Sequence, residues 1–333
     1  MSASTNTPIP TTWTTRTLRR WMVDTFRERG VSEGPLAAEY LLCKVLGCDR
    51  MKLFMDADRP ASKDELAELR GLVKRALAHE PIQYLVGTWS FFGLELKVDQ
   101  RALIPRPCTA MIPERVIQRV RASVRQDDDP AEALETAGEG ELRDADPSST
   151  EAGASRIDVE LPAIRVLDIG TGTGAIALAI ARNLPHATVI ATDLHEEALS
   201  LARENAAALG LSDRVEFRQG NLFEPVRGEV FDFVLSNPPY IPDHEWTDVE
   251  ANVKDHEPVT ALRGGADGLE FVKPIVEQAS RFLGAGGELM VEIASSTANL
   301  VLDTASGVDG LRDAAVLEDH EDMPRFFVAC RSP

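Results

Sequence analysis

From Ile164 onward the chain alternates short apolar runs with amphipathic segments, and this alternation constrains the fold more than any other feature. The spacing predicts strands over 164–169, 187–193, 214–218 and 231–236, with helices over 174–184 and 196–209. A helix from Gly268, a strand from Glu288 to Ile293, another helix and a strand from Phe326 to Ala329 complete the pattern. Strands joined by helical crossovers pair in parallel, and the right-handedness of those crossovers lays helices on both faces of the sheet. The expected class is α/β, a doubly wound, mostly parallel sheet.

The first strand, Val166-Leu167-Asp168-Ile169, runs straight into Gly170-Thr171-Gly172-Thr173-Gly174-Ala175. Glycines at the carboxyl end of a strand let the backbone turn sharply and come close to a ligand. A dinucleotide-binding protein has a similar turn, so the glycines alone leave a nicotinamide dinucleotide and S-adenosylmethionine both open. Asp168, just before the turn, can accept from its backbone or, through water, from a cofactor ammonium. Asp193 ends the second strand, where a carboxylate can accept both ribose hydroxyls. No His or Lys is evidently placed for hydride transfer and no pyrophosphate is required, so S-adenosylmethionine fits better. Beyond Gly220, Asn221 is placed to hold an adenine amino group and Leu222 to pack on the ring. An ordinary loop after a turn glycine reads equally well there.

Asn237-Pro238-Pro239-Tyr240 follows the strand Phe231 to Leu235, 63 positions beyond Gly174. The tetrapeptide suits a planar amide or amine. An amide nitrogen is a poor nucleophile because its lone pair is delocalised into the carbonyl. Two acceptors, the Asn237 side-chain oxygen and the Pro238 carbonyl, can hold both of its N–H groups and favour pyramidalisation. The prolines stiffen the turn so that the acceptors are preorganised, and Tyr240 can stack on the flat group.

Composition limits the alternatives. The formal charge of −19 argues against general affinity for nucleic acid. Asp127 to Ser155 alone holds ten acidic residues and one basic residue. No apolar run reaches the roughly 20 residues that span a bilayer, and the polar start lacks a signal-peptide core, so a cytoplasmic location is expected. Cys43, Cys48, Cys108 and Cys330 have no CxxC or metal-ligand spacing and read as reduced thiols.

The N-terminal half divides differently. Residues 1–12 read as a disordered tail. Residues 13–80 read as a helical domain, with Leu18, Trp21, Met22 and Phe26 at helical spacing and a capping box at Ser62 and Glu65. Its aromatic residues are expected in the core. Residues 81–124 read as a β-hairpin, formed by Tyr84–Val86, Trp89–Phe92 and Leu94–Val98, then the loop Leu103–Pro107 and a helix over 109–124. Residues 125–157 read as an acidic disordered insert and 158–333 as the α/β domain.

These segments together resemble one family, the peptide chain release factor N5-glutamine methyltransferases (PrmC/HemK). The resemblance rests on Glu80–Gly87, Phe92-Gly93-Leu94, Leu103-Ile104-Pro105-Arg106-Pro107, Val166 to Gly174 and Asn237 to Pro242. It continues through Glu257-Pro258, Gly264-Gly265, Asp267-Gly268-Leu269 and Gly286-Gly287 to Val291-Glu292-Ile293. It leaves out only the first dozen residues and the insert over 125–157.

The resemblance implies a Rossmann-like class I S-adenosylmethionine methyltransferase behind a small helical N-terminal domain and a β-hairpin connection. It implies an enzyme, a protein-(glutamine-N5) methyltransferase acting on the glutamine of the Gly-Gly-Gln motif in release factors, which the helical domain would help dock. By the same resemblance Gly170, Thr171, Gly172, Thr173, Gly174, Asp193, Asn221, Leu222 and Asn237 bind cofactor. Asn237, Pro238, Pro239 and Tyr240 bind substrate, with Asn237, Pro238 and Tyr240 catalytic. No metal, no membrane and no direct nucleic-acid partner is expected.

Two departures stand out. The family usually has acidic residues directly after Pro-Arg-Pro and two places on, where this chain has Cys108-Thr109-Ala110; and it often has Asp where this chain has Asn221. The nearest rival is a glutamine methyltransferase for a ribosomal protein, whose loop usually carries Pro-Arg-Ser-Pro rather than Pro-Arg-Pro. An adenine-N6 nucleic-acid methyltransferase would need base flipping and a basic surface. A non-catalytic relative without cofactor is favoured only by the two departures.

Overall fold

The computed structural model describes residues 12–128 and 163–333. All but Thr12 of the expected tail over 1–12, and residues 129–157 of the expected insert over 125–157, lie outside the described residues.

The N-terminal helices are α1 (Thr15–Glu28), α2 (Gly34–Leu46), α3 (Arg50–Met55) and α4 (Lys63–Ala76). Thr14 and Ser62 cap α1 and α4 with reciprocal capping boxes. Leu18, Met22 and Phe26 of α1 pack on Leu41 and Leu42 of α2 and Leu69 and Val73 of α4 in a core of their own. Trp21 departs from the expected pattern: it is 43% exposed and packs edge-on against Trp13 at the domain surface.

Tyr84 to Val86 was expected in a strand but belongs to α5 (Ile82–Val86). Pro81 starts this helix, and Gly87 stops it in the left-handed conformation, donating its N–H to Gln83 O. A glycine that punctuates a hairpin and one that ends a helix look alike in sequence. The hairpin is β1 (Thr88–Phe91) and β2 (Leu94–Lys97), joined through Phe92 and Gly93, both at positive φ as a type I′ turn requires. Helix α6 (Met111–Asp128) follows a short 3-10 turn at Cys108–Ala110.

The sheet contains β3 (Ile164–Ile169), β4 (Ala187–Asp193), β5 (Val215–Gln219), β6 (Phe231–Ser236), β7 (Leu283–Glu292), β8 (Leu311–Glu318) and β9 (Pro324–Arg331). Its order is β5-β4-β3-β6-β7-β9-β8. The strands from β5 to β7 are parallel, and β9 runs antiparallel to both β7 and β8. Edge strand β8 escaped the sequence because it buries no side chain and is broken by a bulge between Arg312 and Ala315. Helices α7 (Ala175–Asn183), α8 (Glu196–Ala208), α9 (Ala251–Lys254), α10 (Val272–Ala279) and α11 (Ala298–Ser306) complete the fold. Helix α10 begins after Gly268, whose φ of +78° excludes it from a helix.

One core fills the face covered by α6, α7 and the hairpin, and a second fills the face covered by α10 and α11. The winding reverses between β3 and β6. A doubly wound sheet opens a crevice at the carboxyl ends of its strands at that point.

Candidate active site

The crevice is a cleft of about 750 Å³. Its floor is the glycine turn. Gly170, Gly172 and Gly174 have φ of +71°, +56° and +83°, a region where a Cβ is strained. The N–H groups of Gly170 and Thr171 both donate to Thr192 O, at 2.8 and 2.9 Å, fastening the turn to β4. Asn205 fastens it from the other side: its Nδ2 donates to Thr173 O and Lys97 O while its Oδ1 accepts from Lys97 N. A buried asparagine of α8 thus joins the turn to the hairpin, a role that nothing in the local sequence signals.

Two carboxylates serve this floor. Asp193 accepts from Gly172 N at 2.9 Å and His195 N at 3.0 Å, one bond to each oxygen, which leaves further lone pairs on the cleft side. Burial raises its pKa, and the backbone donors oppose that rise. Asp168 is fully buried; its Oδ2 accepts from Thr171 Oγ1 and Ala177 N, and its Oδ1 has no partner. Burial pushes its pKa up to about 7.

Strand β6 delivers Asn237 to the same edge, with Ser236 Oγ donating to Ile169 O at 2.8 Å. Behind the tetrapeptide, Ile241 N donates to Leu262 O and Gly264 N to Ile241 O. A Cβ on Gly264 would lie 2.8 Å from Tyr240 Cα, and one on Gly268 would lie 2.6 Å from Tyr240 O. Among the described residues neither the Pro238 carbonyl nor Asn237 Oδ1 takes a hydrogen bond, while Asn237 Nδ2 donates to Thr109 Oγ1 at 3.1 Å.

Of the residues expected from sequence, Gly170 to Thr173, Asp193, Asn221, Leu222 and Asn237 to Pro239 line the cleft. Gly174 lies behind it, where a Cβ would meet Leu178 and Ala202 at 3.0 and 3.2 Å. Tyr240 is also outside the lining: its ring packs on the core and its hydroxyl donates to Glu292 Oε1 at 2.9 Å. Burial, with Glu292 beside it, raises the phenol pKa well above its usual value, so Tyr240 acts as a donor.

The Pro-Arg-Pro loop forms the opposite wall. Glu257 accepts from Ile104 N at 3.0 Å and Arg106 Nη2 at 2.6 Å, locking that loop onto the segment after β6. Cys108 stands 3.9 Å from Glu292 Oε1, and burial pushes its thiol up to about 11. The position that departs from the family pattern is therefore neutral. Among the described residues no group of acidic, His or Cys side chains is arranged to hold a metal.

Comparison with known proteins bears on this geometry. A PrmC N-terminal domain matches residues 17–87, and a methyltransferase small domain matches 148–255. The release factor glutamine methyltransferase of Geobacter sulfurreducens is 36% identical over 95% of this chain and 96% of its own length. The chain belongs to the release factor glutamine methyltransferase family. Relatives of the same name from Rhodopirellula baltica and Chlorobaculum tepidum are each 33% identical, over 93% and 94% of this chain and 93% and 96% of their own. The sheet order and the helical N-terminal region are those expected of a class I methyltransferase of this family. Among the described residues no helix is long and apolar enough to cross a membrane.

Proposed function

We propose that this member of the family transfers a methyl group from S-adenosylmethionine to the side-chain amide nitrogen of the glutamine in the Gly-Gly-Gln motif of peptide chain release factors. The observation that carries the reading is the pair of unpartnered acceptors, Asn237 Oδ1 and Pro238 O, beside the glycine turn at one sheet edge. Two free acceptors on residues that line one cleft match the two N–H groups of a primary amide.

The residues around the turn fit the cofactor. Asp193 retains acceptor capacity for ribose hydroxyls, Asn221 offers a carbonyl for an adenine amine, and Leu222 and Ile176 are apolar walls for the ring. The unpaired Asp168 Oδ1 stands behind the turn, where it can accept through water from a cofactor ammonium. When bound, S-adenosylmethionine supplies an electrophilic methyl on its sulfonium.

The protein's own task is alignment. Asn237 and Pro238 hold the amide with its nitrogen toward the turn. Both N–H groups are occupied in that pose, so the lone pair is the part left to react. No side-chain base is required at the nitrogen, because the methylated product can lose its proton to solvent.

The test is transfer of tritiated methyl from S-adenosylmethionine to a purified class-one release factor, beside a copy whose Gly-Gly-Gln glutamine is replaced by alanine. Label is expected in the first and absent in the second. Equal labelling of both, or labelling of ribosomal proteins alone, would overturn the reading.

A further inference from the structure

We propose that Glu292, at the end of β7, is a positioning residue that acts through Thr109 to set which end of the Asn237 amide faces the cleft. The inference rests on the transfer reading above.

An asparagine amide has an acceptor end and a donor end of nearly equal shape. Turned one way, Asn237 accepts from a substrate amide. Turned the other way, it opposes N–H groups with N–H groups. Nothing in Asn-Pro-Pro-Tyr itself selects between the two.

The selection comes from elsewhere. Asn237 Nδ2 lies 3.1 Å from Thr109 Oγ1, and Thr109 Oγ1 lies 2.7 Å from Glu292 Oε2. Both Glu292 oxygens take hydrogen bonds from hydroxyls, Oε2 from Thr109 and Oε1 from Tyr240, so in its pair with Glu292 the Thr109 hydroxyl is the donor. The hydroxyl then has only lone pairs to offer, and Asn237 must meet it with N–H. Its Oδ1 is thereby turned toward the cleft. Tyr240 donates to the other carboxylate oxygen at 2.9 Å, so one group orients two residues of the tetrapeptide.

Glu292 is 0% exposed and Thr109 is 4% exposed, so water does not compete for these bonds. Glu292 is also a buried carboxylate with no ion pair within salt-bridge distance among the described residues; burial raises its pKa, and the Thr109 and Tyr240 hydroxyls, then the more distant Arg325 and Arg106 guanidiniums, oppose that rise. Burying a charge without a close partner is costly. A role in fixing the amide gives that cost a purpose, whereas the buried Glu288 is explained by its pairs with Arg115 and Arg119.

The test uses Thr109→Val, which keeps the volume and removes the hydroxyl, beside Thr109→Ser, which keeps it. Thr109→Val is expected to lower kcat by about tenfold or more, the effect of one charge-assisted hydrogen bond. Its S-adenosylmethionine affinity should match wild type, and Thr109→Ser should restore most of kcat. Glu292→Gln, equal in size but able to donate, lets the chain of bonds run backwards and should fall with Thr109→Val. A second readout needs no substrate: the Asn237 side-chain amide protons, followed by NMR, should exchange slowly in wild type and fast in Thr109→Val. Wild-type kcat in Thr109→Val, equal loss in Thr109→Ser, or equally fast exchange in wild type would overturn the proposal. If wild type transfers no methyl to the release factor, the functional reading falls, and the exchange measurement still decides the orientation.

Discussion

At the scale of residues, Asp168 shows how a site residue can work against stability. Its Oδ2 is satisfied by Thr171 and Ala177, its Oδ1 has no partner, and burial pushes its pKa from 3.8 up to about 7. Between those values the folded chain keeps a proton that the unfolded chain has lost. Stability contributed by this group therefore falls as pH rises through that window and stays low above it. Asp168→Asn, which cannot ionise, should gain in melting temperature relative to wild type from pH 4 to pH 8; a difference that does not change with pH would contradict this. Asp193→Ala should weaken S-adenosylmethionine binding by at least about tenfold, through loss of hydrogen bonds to a charged acceptor, as calorimetry would show. Asp193 and Asn237 were legible in sequence because polar residues that end buried strands stand out. Thr109, Glu292 and Asn205 were not, because each acts on a partner distant in sequence: Thr109 bonds across 183 positions to Glu292, and Asn205 across 108 to Lys97.

At the scale of elements, Gly264 and Gly268 explain a motif that the sequence presented only as a resemblance. Both lie against the backbone of Tyr240, closer than any Cβ allows, and Gly268 also has φ of +78°. Gly268→Ala should destabilise the fold by about 1–3 kcal/mol in chemical denaturation, the usual range for a strained backbone position. It should also slow methyl transfer more than it weakens cofactor binding; an active, equally stable Gly268→Ala would contradict this packing. The same glycine explains why the helix expected from Gly268 begins instead as α10 at Val272. Strand β8 was illegible for a different reason. An exposed edge strand with a bulge has no alternation of buried and exposed side chains to read.

At the scale of the whole molecule, strand–helix alternation made the parallel part of the sheet legible, and the reversal between β3 and β6 then dictates where the cleft opens. The far wall was not legible. It is built by Leu103, Pro105 and Thr109 from the segment before the sheet, held through the Arg106–Glu257 and Thr109–Glu292 bonds. Because the cleft joins three parts of the chain, a bound cofactor should stabilise all of it together. S-adenosylmethionine at 100 times its Kd should add about 2.7 kcal/mol and raise the melting temperature by a few degrees; no shift would mean that the cleft does not bind it. The most direct test of how this molecule works is tandem mass spectrometry of a class-one release factor after incubation with S-adenosylmethionine and either wild type or Asn237→Ala. One methyl group on the glutamine of the Gly-Gly-Gln peptide with wild type, and almost none with an Asn237→Ala protein that still folds and binds cofactor, is the expected result. Methylation at another residue, or equal methylation by Asn237→Ala, would contradict the assignment of this cleft.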